Sequence, residues 1–176
     1  MKLHLGCGVK HLTGFINIDV RMLDGVDEVD DVSVLSKYSQ NSVDLIYACH
    51  VLEHSKRNQY FDTLKRWHCI LKDNGILRIS VPDIEKVFLH YHNNGNLRIL
   101  RGFLWGGQNY EQNFHYIGWD FKTLKEDLIE VGFKNILRYD WRTVEHSYID
   151  DFSQCYLPHM DKDNGMLMSL NVEAIK

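Results

Sequence analysis

The chain reads as an α/β protein with a mainly parallel, doubly wound sheet. Three observations predict this. Short apolar runs of strand length alternate along the chain with stretches of helical periodicity. The first run passes straight into two glycines, in Leu3-His4-Leu5-Gly6-Cys7-Gly8, as a parallel strand does where its carboxyl end meets a ligand. The 176 residues, 44% hydrophobic and 25% charged, suit one domain, 1–176, that buries about 70% of its unfolded surface.

The elements follow in order. The first strand is expected over Lys2–Leu5, entered directly from Met1 with no room for a signal peptide. Further strands are expected at Phe15–Asp19, Val26–Val32 and the strongly apolar Val43–Cys49. Arg57–Leu71 carries Tyr60, Phe61, Leu64, Trp67, His68 and Leu71 at helical spacing, and Asn74-Gly75 closes it. Phe61 and Trp67 are read there as core residues. Ile76–Val81 is the next strand and Ile84–His92 a helix-like stretch, followed by a turn at Asn93–Asn96 and a Gly-rich aromatic segment, Gly102–Tyr116. Asp120 suits the cap of a helix running through Val131, with Leu124, Leu128 and Ile129 inward and Gly132 ending it. Strands Asn135–Trp141 and Leu167–Lys176 complete the set, the last preceded by the turn signal Asp163-Asn164-Gly165. Two irregular segments, 83–118 and 142–165, leave from carboxyl ends of strands and should roof the ligand site as lids.

Bulk properties exclude several classes. A net charge of −4 without a basic block argues against nucleic acid as a partner. No apolar run is long enough to span a membrane. Cys7, Cys49, Cys69 and Cys155 are scattered and form no CxxC pair, which suits a reduced, cytoplasmic protein with apolar buried thiols.

Gly6 and Gly8 stand where a Cβ would keep a ligand from the backbone. A dinucleotide fingerprint needs a third glycine at position 11, which is His11. Asp19 ends the second strand, where a carboxylate can accept hydrogen bonds from both ribose hydroxyls. Two glycines and a strand-end acid suit a nucleoside without a pyrophosphate, which points to S-adenosylmethionine (SAM).

The chain resembles the class I SAM-dependent methyltransferases over nearly its whole length, and most closely a small type-11-like subgroup often encoded among surface-polysaccharide genes. LHLGCG resembles the first motif of that family, GFINIDV the strand with the ribose acid, and DDV at Asp30–Val32 the adenine-side motif. SVDLIYACHVLEH, LKDNGILRISVPD, FHYIGWDFKTLKEDLIEVGF and YLPHMDKDNGMLMSLNVEAIK resemble the following units in the same order. The resemblance implies a Rossmann-like methyltransferase fold, with a seven-stranded sheet, an antiparallel last strand and helices on both faces. It implies SAM as cofactor, held by Leu5, Gly6, Cys7, Gly8, Asp19, Val20, Asp31 and Val32, with Asp31 toward the adenine amino group. The short interval from Gly8 to Asp19 leaves almost no first crossover helix.

Other residues carry two readings each. His50-Val51-Leu52-Glu53-His54 matches H-x-x-E-H, a zinc-hydrolase pattern that requires both histidines on one helix face and a third ligand. Here it follows an apolar strand, so the preferred reading sets Cys49 and His50 beside the cofactor, with Glu53 and His54 anchoring the next helix. Asp150 and Asp151 permit a divalent ion, but no ligand spacing demands a metal. His115, in the Gly-rich segment, is the leading candidate base for a hydroxyl acceptor; its plain alternative is a loop histidine bonded to backbone. Asp83, after Val81-Pro82, is a second candidate base or the cap of the helix from Ile84. Trp105, Tyr110, Tyr116 and Trp119 offer flat faces to a substrate ring or simply pack. Asp151 and His159 either touch substrate or hold their loop together.

The leading expectation is therefore methyl transfer to a hydroxyl of a small molecule or glycan. A methyltransferase-fold binding module with little activity stays open. A nicotinamide-dependent oxidoreductase is disfavoured by His11.

Overall fold

The computed structural model describes residues 1–176. Its strands are β1 (Lys2–Leu5), β2 (Ile16–Asp19), β3 (Glu28–Val29), β4 (Val43–Cys49), β5 (Leu71–Pro82), β6 (Lys134–Arg138), β7 (Tyr156–Leu157), β8 (Met166–Leu167) and β9 (Ser169–Ile175). Seven of them form one sheet in the order β3-β2-β1-β4-β5-β9-β6, while β7 and β8 pair as a separate hairpin. All sheet neighbours run parallel except β9, which is antiparallel to both β5 and β6. The last strand is thus the antiparallel one in a mainly parallel sheet.

Alternation along the strands sorts side chains onto two unlike faces. Leu3 and Leu5, Ile46 and Ala48, Leu77, Ile79 and Val81, and Leu170, Val172 and Ala174 build one continuous apolar face. Helices α1 (Tyr60–Ile70) and α4 (Phe121–Val131) cover it with Leu64, Trp67, Ile70, Leu124 and Leu128, all fully buried. A side chain of that size contributes about 1.5–3 kcal/mol when buried. Trp67 also donates its indole N–H to the Val32 carbonyl at 2.8 Å, tying α1 to the chain beyond β3.

The opposite face is buried but polar: His4, Asn17, Arg78, Ser80 and Asn171 alternate with the apolar set. Short 3₁₀ turns at Trp141–Thr143 and Phe152–Gln154 lie in the segment that covers it. The Arg78 guanidinium reaches Glu145 and Glu173, each at 2.8 Å, so this buried charge is paired on both sides.

No helix joins β1 to β2. The buried Asn17 side chain does a helix's work of satisfying the connecting backbone: its Oδ1 accepts from the Leu12 N–H at 2.8 Å, and its Nδ2 donates to the Leu12 and Phe15 carbonyls. Leu12 and Phe15 pack against Leu45 and Tyr47 on the polar-side face.

Several bounds differ from the sequence expectation. The strand expected at Val26–Val32 shrinks to Glu28–Val29 because neighbouring carboxylates take local backbone partners: Asp27 accepts from Asn17 N–H, and Asp31 from Ser33 N–H. The strand expected to reach Trp141 stops at Arg138, since Asp140 caps the 3₁₀ turn that follows. Met168 interrupts the last strand by donating its N–H to the Cys155 carbonyl. The helix expected from Arg57 begins at Tyr60 and ends at Ile70, before Asn74-Gly75, because Leu71 already pairs with Val43 and residues 72–75 bulge out. Asp83 caps α2 (Ile84–Asn94), which is followed by α3 (Arg101–Trp105). Asp120 caps α4 through a reciprocal bond with Thr123. No helix is long and apolar enough to cross a membrane.

Candidate active site

The carboxyl ends of the parallel strands open onto a cavity of about 620 Å³, whose walls include Gly6, Asp19, Asp31, Val51, His54 and Tyr116. Gly6 and Gly8 turn the chain away from β1 with φ of +61° and +54°, a left-handed backbone that glycine adopts freely. They are required for different reasons. A Cβ on Gly6 would lie 2.5 Å from the Val51 side chain, so the turn after β4 occupies that space rather than a ligand. A Cβ on Gly8 would meet only the Arg21 guanidinium, at 3.9 Å.

Asp19 is buried at the end of β2. Its Oδ2 accepts from the Gly8 N–H at 2.9 Å, and its Oδ1 from the Arg21 N–H at 2.9 Å and Nε–H at 3.1 Å. The Arg21 guanidinium in turn sits 4.2 Å from the centre of the Tyr110 ring. One carboxylate therefore fixes the glycine turn and, through Arg21, the aromatic segment across the cavity. On the next loop, Asp31 Oδ1 accepts from Ser33 N–H and Oγ–H, leaving its other oxygen free at the cavity wall.

A second cavity, of about 330 Å³, adjoins the first at Tyr116, which lines both. Trp105, Ile117, Leu104 and Ile84 make it apolar, and His115 supplies a polar edge.

Where the two meet lies a dense histidine and glutamate cluster. His50 takes a left-handed backbone (φ +54°) after β4, and the 3₁₀ turn Leu52–His54 aims Glu53 inward. Glu53 is fully buried, and neither carboxylate oxygen has a hydrogen-bond partner. Burial pushes its carboxyl up to about 8. His50 Nδ1 lies 3.3 Å and His115 Nε2 4.0 Å from Glu53 Oε1. Burial, reinforced by the neighbouring imidazoles, lowers His50 to about 3 and His54 to about 4, and burial lowers His115 as well.

No protein-family model and no curated protein matches the sequence. Solved structures do. A SAM-dependent methyltransferase from Archaeoglobus fulgidus superposes with a TM-score of 0.59 at 15% identity, over 99% of this chain and 85% of that one. The 1,6-didemethyltoxoflavin N1-methyltransferase of Burkholderia thailandensis, solved with its substrate and S-adenosylhomocysteine, matches at TM-score 0.59 and 16% identity, over 99% of this chain and 70% of that one. The chain has the SAM-dependent methyltransferase fold.

That fold brings Gly6, Asp19, Val20, Asp31, Val32 and His50 to the large cavity, with Gly8 bonded to Asp19 at its edge. Leu5 and Cys7 lie beneath it in the core, and burial raises the Cys7 thiol to about 12. Tyr110 and Tyr116 line the large cavity, and Trp105 and His115 the smaller one.

Five expected positions lie elsewhere. Cys49 falls in register with Leu45 and Tyr47, so alternation turns its thiol to the opposite face of the sheet, away from the cofactor side. Asp83 is buried as the cap of α2 and paired with Arg138 at 3.2 Å, which leaves no room for it to act as a base. Trp119 is core: it packs on Tyr60 and donates its indole N–H to Asp127 at 2.8 Å. Asp151 sits on the polar face, accepting from Tyr47 O–H and from Ser153. His159 is exposed on its loop and lines neither cavity. Glu53 does not anchor α1, and His54 donates instead to the Phe114 carbonyl of the aromatic segment. Sequence reading passed over Arg21, Ser33, Gln59 and Thr63, which also line the large cavity. The spacing of Arg21 two residues beyond a strand-end Asp, the signature of an Asx turn, was the one available signal.

Proposed function

We propose that this protein is a SAM-dependent methyltransferase that methylates a hydroxyl of a small molecule or glycan. The observation that carries the reading is Asp19: a buried strand-end carboxylate, braced by Gly8 and Arg21, at the wall of a cavity of nucleoside dimensions. In this reading Asp19 receives the ribose hydroxyls, Asp31 the adenine amino group through its free oxygen, and the Gly6–Gly8 turn the amino-acid end. The fold shared with SAM-dependent methyltransferases supports the same cofactor.

The smaller apolar cavity suits the acceptor, with the exposed indole of Trp105 and the ring of Tyr116 as flat contact faces. Tyr116 stands at the boundary, where a methyl group would cross from one cavity to the other. A sulfonium is already a good leaving group, so holding acceptor and cofactor in line supplies much of the rate. Residues 83–118 supply the acceptor wall and act as the lid over the paired cavities. Residues 142–165 serve chiefly to cover the polar face of the sheet.

Calorimetric titration with S-adenosylhomocysteine and SAM, with NAD(H) in parallel, tests the cofactor. Micromolar binding of the first two and none of the nicotinamide is expected, and an acceptor screen starting with sugars follows. Absence of binding by all three would overturn the reading in favour of a module that has lost its cofactor. Binding without turnover on any acceptor would remove the catalytic half alone.

A further inference from the structure

We propose that Glu53, His54 and His115 form a binding site for a first-row divalent transition-metal ion, such as Zn²⁺ or Co²⁺, at the junction of the two cavities. One ligand atom from each of the three lies within 4.8 Å of the others. Ligands around a tetrahedral zinc stand about 3.4 Å apart, as metal–ligand bonds of about 2.1 Å require, so closure of the trio by roughly an ångström completes the site.

Hydrogen bonding settles which nitrogens are available. A backbone carbonyl can only accept, so His54 Nδ1 must carry the proton it donates to Phe114 O at 3.1 Å. His115 Nδ1 likewise donates to Phe103 O at 2.9 Å. Both rings are thereby fixed in the tautomer that leaves Nε2 as a bare lone pair. Metal-bound histidines are held in this way, with the second ring nitrogen donating to a carbonyl.

Glu53 supplies the second, independent observation. It is 0% exposed, and both its oxygens lack a partner. A buried carboxylate with no donor is costly, and no protein group is hydrogen-bonded to it. His50 does not satisfy it: its Nδ1 stands 3.3 Å from Oε1 without forming a hydrogen bond, and its Nε2 is engaged with Ser169 Oγ at 2.9 Å. The lone pairs of His54 and His115 and the unpartnered oxygens of Glu53 therefore meet, and a cation resolves the whole set at once. Imidazole donors select zinc-like ions over magnesium or calcium. His54 reaches the large cavity and His115 the smaller one, so the ion has an entry path and positions open toward both.

The site also changes the part expected of His115. With Nδ1 on Phe103 and Nε2 on the ion, His115 has no nitrogen left to take up a proton and is a ligand rather than a free base. The site rests on these side chains and not on the cofactor reading, so it is measured without SAM.

The test uses the full chain, stripped with a chelator and titrated with Co²⁺ while visible absorption is followed. One Co²⁺ per chain, displaced by Zn²⁺ but not by Mg²⁺, is expected, together with a rise in melting temperature on adding Zn²⁺. Glu53→Gln and His115→Ala should each weaken Co²⁺ binding by at least roughly 10–100-fold, the loss seen when even an outer partner of a metal site is removed. His92→Ala, exposed on α2, should not. Circular dichroism checks that each variant is folded. Absence of a Co²⁺ band in the folded wild-type chain, or no shift of its melting temperature with Zn²⁺, would overturn the site; both would mean that Glu53 holds a proton in place of a metal. Binding undiminished in both site variants would overturn it too, as surface histidines would then account for the ion.

Discussion

Asp19 is the residue on which the cofactor reading turns, because its two oxygens hold three N–H donors on opposite walls of the cavity. Asp19→Ala removes the expected ribose acceptor and also frees the Gly8 turn and the Arg21–Tyr110 pair. The expected outcome is S-adenosylhomocysteine binding weaker by about 1–3 kcal/mol, the usual cost of a charge-assisted hydrogen bond, measured by calorimetry. Unchanged affinity in a folded variant would remove the ribose assignment. The position was legible in the sequence because a strand-end acid after a glycine turn is a local pattern. The meeting of Glu53 with His115 was not: those residues come from distant segments, joined where the turn after β4 meets the aromatic segment, through Tyr116 N–H to the Glu53 carbonyl and His54 Nδ1–H to the Phe114 carbonyl. Cys49 and Trp119 went astray because strand parity and helix packing, which decide where a side chain points, depend on neighbours absent from the local sequence.

Among the elements, the β1–β2 connection is the least regular and the most dependent on one side chain. Parallel neighbours are ordinarily joined through a helix that satisfies its own backbone. Here Asn17 does so for residues 12 and 15, and its Oδ1 also lies 3.1 Å from His4 Nδ1. Asn17→Leu keeps the volume but orphans a buried N–H and a carbonyl, at about 1–3 kcal/mol. A melting temperature lower by several degrees is expected, since about 1 kcal/mol corresponds to roughly 2–4 °C in a chain of this size. An unchanged midpoint would mean that the turn is held by Leu12 and Phe15 packing alone. Element type was legible wherever an apolar run is sharply bounded: β1 and β4 match their expected limits residue for residue. It failed at β3 and at the ends of β6 and β9, where Asp side chains or a single backbone bond to another segment cut the ladder short.

For the whole molecule, the unlike faces of the sheet set how stability responds to pH. The strands line the apolar face with aliphatic side chains, whereas the polar face buries His4 and His146 beside Tyr47 and Arg78. His146 is 3% exposed, its Nε2 has no partner, and burial together with the Arg78 charge lowers it from 6.5 to about 4. His4 is lowered by burial as well. Glu145, kept ionised down to about 2 by its backbone and Arg78, and Asp151 pull His146 the other way, and burial with the Arg78 charge outweighs them. A histidine held neutral in the folded state contributes its full stability above the unfolded value of 6.5 and loses it as the pH falls toward about 4. His50 and His54 act in the same direction. Metal-free Glu53 acts in the opposite one, protonated in the fold and losing its contribution as the pH rises through about 8. Urea unfolding should therefore show greatest stability between these limits. From about pH 7 to about pH 4.5, His146→Gln should remove about 2 kcal/mol of the acid-side loss. A variant with the same slope as the wild type would place the acid sensitivity in the cluster at Glu53 and not on the polar face of the sheet.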